Sequence, residues 1–124
     1  MSFKLKTSKR TEDIFCEVGA SEQLQPFILA KIALSLSIKC EDNLKEEDFL
    51  SDNNGKELNR QTITGEFDLL YKCLIEMREK RNMQDEEYFK YIKAHLDRGA
   101  VLLNNEHKYG GDFLVHLLEF ENSI

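Results

Sequence analysis

Apolar and polar positions alternate at the start of the chain. Phe3-Lys4-Leu5-Lys6-Thr7 has the period of a short half-buried strand, with Phe3 and Leu5 on one side and Lys4 and Lys6 on the other. From Ser8 the period lengthens to that of a helix. Ser8 is placed to cap it, Glu12 and Asp13 lie near its positive end, and Ile14, Phe15 and Val18 form its apolar stripe. Gly19 offers the left-handed residue that ends it. Pro26 suits the first turn of a second helix, "PFILAKIALSLSIKC". There Phe27, Ile28, Leu29, Ile32, Leu34, Leu36 and Ile38 spread around most of the circumference. A helix apolar on most sides must be enclosed. A partner chain or a larger core of the same chain would each do so, and the pattern leaves both open.

Residues 41 to 57, "EDNLKEEDFLSDNNGKE", form an acidic, turn-rich stretch that reads as a connector between residues 1 to 40 and residues 58 to 124 of a single domain. Beyond it, a helix starting near Thr64 or Gly65 carries Phe67, Leu70, Tyr71 and Leu74 at helical spacing. Asp85 caps another, with Tyr88, Phe89, Ile92 and Leu96 inward and Gly99 at its end. A short apolar run, Val101 to Leu103, comes next, and Asp112 caps a last helix through Phe113, Leu114, Leu117 and Leu118. The predicted fold is mainly α: a unit of one short strand plus two helices, like that of ribbon-helix-helix proteins, followed by about three further helices.

Charge sharpens this division. The 124 residues hold 17 Lys and Arg against 23 Asp and Glu, a net charge of −6. Six bases and four acids fall in residues 1 to 40, a balance of +2, so the remainder carries −8. Positive charge is therefore local, and its focus is Lys4, Lys6, Lys9 and Arg10. The 32 % of charged and 41 % of apolar residues fit an ordered globular chain. No apolar run reaches the roughly 18 residues of a membrane span, and "MSFKLKTSKR" lacks the apolar core of an export signal, so a cytoplasmic protein is expected. Cys16, Cys40 and Cys73 lie far apart without metal-ligand spacing and are expected to be reduced residues in or near the core, with no metal.

A strand too short to make a sheet alone, followed by two helices, suggests pairing with the same strand of a second chain. Phe3 and Leu5 would then lie on the dimer core, and Ile28, Ile32 and Leu36 would pack against their symmetry mates. Lys4 and Lys6 would point outward with Lys9 and Arg10 beside them. Such ribbons enter DNA grooves, and helix N-termini favour phosphate. Lysine acts as a mobile point charge, and base reading relies mainly on Arg, Asn and Gln, so backbone contact is expected rather than sequence readout. The plainer reading is a solvated basic end, or lysines that protect a strand edge from aggregation. Elsewhere the chemistry is thin. Asp97 is two residues from His95 and so lies on a different helix face, which leaves His95 to helix packing or a carbonyl. His107 and His116 sit in no metal pattern, and no phosphate loop or nucleophile elbow occurs. An enzyme acting alone is not expected.

Three stretches in order, "KLKTSKRTEDIF" with "LQPFILAKIALSLSI", "ELNRQTITGEFDLLYKCLI" and "IKAHLDRGAVLL", resemble the DNA sulfur modification protein DndE family over nearly the whole chain. Gln25, before Pro26, departs from the better capping residue expected there. The resemblance implies a non-catalytic, DNA-binding accessory subunit, without cofactor, of the machinery that replaces a non-bridging phosphate oxygen of DNA with sulfur. It implies partner subunits, among them a cysteine desulfurase, a reductase-like iron–sulfur protein and an ATPase. It also implies a homo-tetramer or homo-dimer, and a lysine-rich surface that takes duplex or nicked DNA. By position that surface falls on Lys4, Lys6, Lys9, Arg10 and Lys31. Two competing expectations stand beside it: a ribbon-helix-helix transcriptional regulator, and a scaffold whose acidic part binds proteins without touching DNA.

Overall fold

The computed structural model describes residues 4 to 109. In chain order these form strand β1 (Lys4–Lys6), helices α1 (Lys9–Glu22) and α2 (Pro26–Lys39), and a 3-10 turn (Glu46–Phe49). Strand β2 (Glu57–Asn59), the short helix α3 (Arg60–Ile63), a second 3-10 turn (Gly65–Phe67), and helices α4 (Asp68–Glu79) and α5 (Asp85–Tyr109) complete them. The mainly α architecture, with one strand and two helices leading three more, agrees with the pattern of the sequence. Phe3 and the expected helix beyond Asp112 lie outside the described residues.

The start of the chain is as its pattern requires. Ser8 accepts a hydrogen bond from the Thr11 backbone N–H at 3.1 Å, and Ile14, Phe15 and Val18 are buried. The end of α1 is not. Gly19 stays inside the helix, and the left-handed residue is Gln23, at φ 57°. Glutamine adopts it at a modest steric cost, and its N–H returns to the Gly19 carbonyl.

Helix α2 forms the centre, and α5 is the main element packed against it. Leu29, Ala30, Ala33, Leu34 and Leu36 are buried on one side of this contact, and Tyr88, Ile92, Leu96, Ala100 and Leu103 on the other. Gly99 explains why α5 does not stop there. A Cβ at this position would lie 1.8 Å from the Ala33 carbonyl oxygen, so the glycine is a point of backbone contact between two helices, not a helix end. The apolar run 101 to 103 therefore continues α5. Two arginines close the C-terminus of α2, where carbonyls lack partners. Arg78 donates to the Ile38 carbonyl and, at 2.6 Å, to that of Asp42. Arg98 donates to the Ser37 carbonyl at 2.8 Å and to Asp42 at 2.9 Å.

Three expectations need correction. The acidic connector contains structure: the 3-10 turn Glu46–Phe49 lies within it, and at its last residue, Glu57, begins β2, which pairs antiparallel with β1 in the register Lys4↔Asn59, Leu5↔Leu58, Lys6↔Glu57. The first strand thus finds a partner within its own chain, and Leu5 and Leu58 are buried together in the chain's core. Leu36, assigned to an oligomer interface, is also buried in the monomer, and Ile28 and Ile32 are half-buried. Cys16 and Cys73 are exposed and Cys40 is half-buried, because the first two lie on the outer faces of α1 and α4.

Candidate nucleic-acid interface

The two-stranded ribbon places its side chains by simple alternation. Leu5 and Leu58 face the core, so Lys4 and Lys6 stand on the exposed face opposite Asn59 and Glu57. Lys4 Nζ lies 3.8 Å from Glu57, an exposed pair that contributes little and leaves the lysine available.

The junction between the ribbon and α1 is held firmly. Asp97, buried on α5, accepts hydrogen bonds from Thr11 Oγ1 at 2.6 Å, Ser51 Oγ at 2.6 Å, Lys93 Nζ at 2.6 Å and the Ser8 backbone N–H at 3.2 Å. One carboxylate thus ties together the start of α1, the connector and α5. The connector closes over the same junction through Gly55, whose N–H donates to the Thr7 carbonyl at 2.9 Å. A Cβ there would fall 2.2 Å from the Ser8 carbonyl oxygen, so no larger residue permits this approach. Asp52 accepts from the backbone N–H groups of Asn54 and Lys9, each at 2.9 Å, and these bonds hold its carboxyl below the usual range.

The other predicted bases are less free. Lys9 bonds Glu12 at 2.7 Å and lies 3.4 Å from Asp13. The hydrogen bond to Glu12, with help from Asp13, raises its pKa. Arg10 lines a groove with Glu47, Asp48 and Asp52, an acidic neighbourhood. Lys31 stands on α2 beyond β2, its Nζ 5.4 Å from the Phe27 ring centroid and 3.4 Å from the Thr62 carbonyl. The structure therefore separates the five: Lys4 and Lys6 share the ribbon, Lys9 and Arg10 turn toward acids, and Lys31 lies across β2.

Residues that the sequence pattern does not single out connect the two sides. Lys56, Asn59 and Phe27 line one shallow groove beside β2. Phe27, Lys31, Gln61 and Phe67 line the next, an open groove of about 520 Å³. Lys4 and Lys6 thus stand on the exposed face of the ribbon, while Lys56 and Lys31 line the adjoining grooves, which also hold Glu57 and Glu66. The signal that could have found them, "GKELN" with Leu58 between polar neighbours, was hidden in a stretch that reads as turns.

His95 is buried with Nδ1 2.7 Å from Ser37 Oγ, which also accepts from Arg98 Nε at 2.9 Å. Burial, then the Arg98 and Arg78 charges, push its pKa down to about 3, so the ring is neutral. It joins α5 to α2 and faces away from Asp97, as its spacing indicated. Among the described residues, no three His, Cys, Asp or Glu side chains converge as a metal site, and no helix is long and apolar enough to cross a membrane.

The sequence model of a family described as DNA sulphur modification protein DndE matches residues 4 to 110. The fold is similar to the crystal structure of DndE from Escherichia coli B7A, described as involved in DNA phosphorothioation modification. The TM-score is 0.65, with 21 % identity over 78 % of this chain and 93 % of that one. No curated protein matches the sequence.

Proposed function

Because the chain belongs to the DndE family of DNA sulphur modification proteins, we propose that it is a non-catalytic accessory subunit of the DNA phosphorothioation machinery in the cytoplasm. It contacts the backbone of duplex or nicked DNA and works beside the reductase-like iron–sulfur protein and the ATPase of that system. The observation that carries the DNA contact is the ribbon: Lys4 and Lys6 stand exposed on a strand whose other face is locked into the core. Lys56 and Lys31 add positive charge along two adjoining grooves that share Phe27 and Thr62, with Glu57 and Glu66 among them. Lysines on a rigid two-stranded edge suit phosphate, since an ammonium neutralises charge without demanding a particular base. Lys9 and Arg10 contribute less, because Glu12, Asp13 and Asp52 offset them. The net charge of −6 keeps the affinity modest, and the lysine–phosphate contacts make it salt-dependent.

Titration of a labelled duplex, intact and nicked, across a salt series tests this. Binding should show a log–log slope of about −0.9 per phosphate neutralised and little sequence preference. Lys4→Ala with Lys6→Ala should flatten the slope by about two per chain, while Lys90→Ala leaves it unchanged. Lys93 is unsuited as a control because it holds Asp97. Equal binding by the Lys4/Lys6 variant and the wild type would place any DNA surface elsewhere.

A further inference from the structure

Asn54 is the only asparagine of the 124 residues that is followed by glycine. In such a pair the backbone nitrogen of the glycine can attack the side-chain amide of the asparagine, because no Cβ shields the approach. Asn54 is exposed. Gly55, by contrast, is held tightly. Its N–H donates to the Thr7 carbonyl at 2.9 Å, and the next N–H, of Lys56, donates to Thr7 Oγ1 at 3.0 Å. The Thr7 N–H returns a bond to the Lys56 carbonyl at 3.0 Å, and Thr7 itself is fully buried. On the other side, Asp52 accepts from the backbone N–H groups of Asn54 and Lys9. The pair is thus spanned by two anchors, both at the junction of β1 and α1. Its electrophile is open to solvent, and its nucleophile is fastened to a buried threonine.

We propose that Asn54 is a self-modifying site whose reaction is gated by the docking of Gly55 and Lys56 on Thr7. A nitrogen that donates its hydrogen to a carbonyl 2.9 Å away is not free to attack the Asn54 side chain. When the contact opens, the Gly55 nitrogen bonds to Asn54 Cγ, the Cγ–Nδ2 bond breaks, and ammonia leaves with the glycine's proton. Water then opens the cyclic imide at either carbonyl, giving aspartate or isoaspartate, with no oxidation or reduction. In isoaspartate the main chain runs through Cγ and is longer by a carbon. The docked contact has no room for that change. Even a Cβ on Gly55 would lie 2.2 Å from the Ser8 carbonyl oxygen and 2.3 Å from Thr7 Oγ1. The lengthened connector therefore cannot dock again. Opening of the contact is reversible and the chemistry is not, so a local fluctuation becomes a permanent release of the segment that leads into β2.

The inference does not rest on the DNA reading. Incubation of the full chain in mildly alkaline buffer, with peptide mapping by mass spectrometry, follows Asn54. A synthetic peptide of residues 50 to 58 serves as the ungated reference. Asn54 of the wild type should convert about tenfold or more slowly than the peptide, since only the open fraction reacts. Thr7→Val keeps the branched shape but removes the acceptor of the Lys56 N–H, and should speed conversion about fivefold. Ile75→Val, a mild core change on α4, should leave the rate unchanged, which separates opening of this contact from unfolding of the whole chain. The isolated isoaspartate form should lose hydrogen-exchange protection at the Gly55 and Lys56 amides. Asn54→Asp, with a main chain of native length, should keep it. Conversion of the wild type at the peptide's rate would overturn the proposal, as would native protection in the isoaspartate form. An unchanged rate in Thr7→Val, or an equal acceleration by Ile75→Val, would also overturn it.

Discussion

Helices α2 and α4 reverse the expectation that the more apolar helix is the one in need of a partner. Helix α2 is apolar around most of its girth, yet its own chain encloses it: α5 covers it, and α1 and α3 pack on it as well. Helix α4 has a mixed composition and reads as an ordinary amphipathic segment, yet it turns Leu69, Leu70 and Met77 to solvent. The difference lies in what each helix meets. Gly99 allows α5 to approach the backbone of α2 until a single Cβ would not fit. On the outer side of α4 no described residue covers Leu69, Leu70 and Met77, and on the inner side Ile75 is the buried residue. Apolar content thus measures how much surface must be buried, and the neighbours decide whether the chain buries it.

The contrast can be broken most directly in the core. Leu34→Ala on α2 removes a fully buried side chain and should cost about 3–4 kcal/mol in urea unfolding. A cost under about 1 kcal/mol would mean that α2 is not enclosed by its own chain. Gly99→Ala should cost about 2–3 kcal/mol, because the new methyl group meets the Ala33 backbone and not a side chain that can turn away. The same change in an exposed helix would stabilise by about 0.5–1 kcal/mol, so the sign alone is decisive.

The α2–α5 contact should also respond to acid through His95. Its folded pKa is about 3, below the roughly 6.5 of an unfolded chain, so the unfolded state binds more protons between these values. His95 therefore imposes no penalty above pH 6.5, and stability is lost as pH falls below it, by up to about 1.4 kcal/mol per pH unit. Unfolding free energies measured from pH 7 to pH 4 should fall more steeply for the wild type than for His95→Gln. Parallel curves would mean that the ring protonates without opening the contact. The smallest effect belongs to α4: Leu69→Gln, measured where the chain is monomeric, should change stability by about 0.5 kcal/mol or less. A loss of 2 kcal/mol or more, against that roughly 0.5, would show that this face is already covered within the chain.

Much of the fold was legible in local pattern. The alternation at Lys4 to Lys6, the cap at Ser8, Pro26 at the start of α2 and the stripe of Tyr88, Ile92 and Leu96 are short-range signals, and each element formed where its signal lay. The candidate site was legible in part for the same reason. The burial of Leu5 is a consequence of period two, and with it the exposure of Lys4 and Lys6. The rest was decided by contacts between residues far apart in the chain. Gly19 and Gly99 look alike as helix stops, yet both lie inside helices, because a neighbouring backbone and not a turn determines what each position tolerates. Strand β2 has weak local preference and exists because β1 offers it hydrogen bonds and Leu5 offers Leu58 a buried neighbour. Asp97 looks ordinary beside His95, and only the fold brings Ser8, Thr11, Ser51 and Lys93 to its oxygens. The sequence by itself determined which segments bury apolar surface and where positive charge concentrates, since both depend on nearest neighbours along the chain. Tertiary structure decided which apolar faces are satisfied within one chain and which lysines remain free, because packing and ion pairing depend on residues that only folding brings within reach.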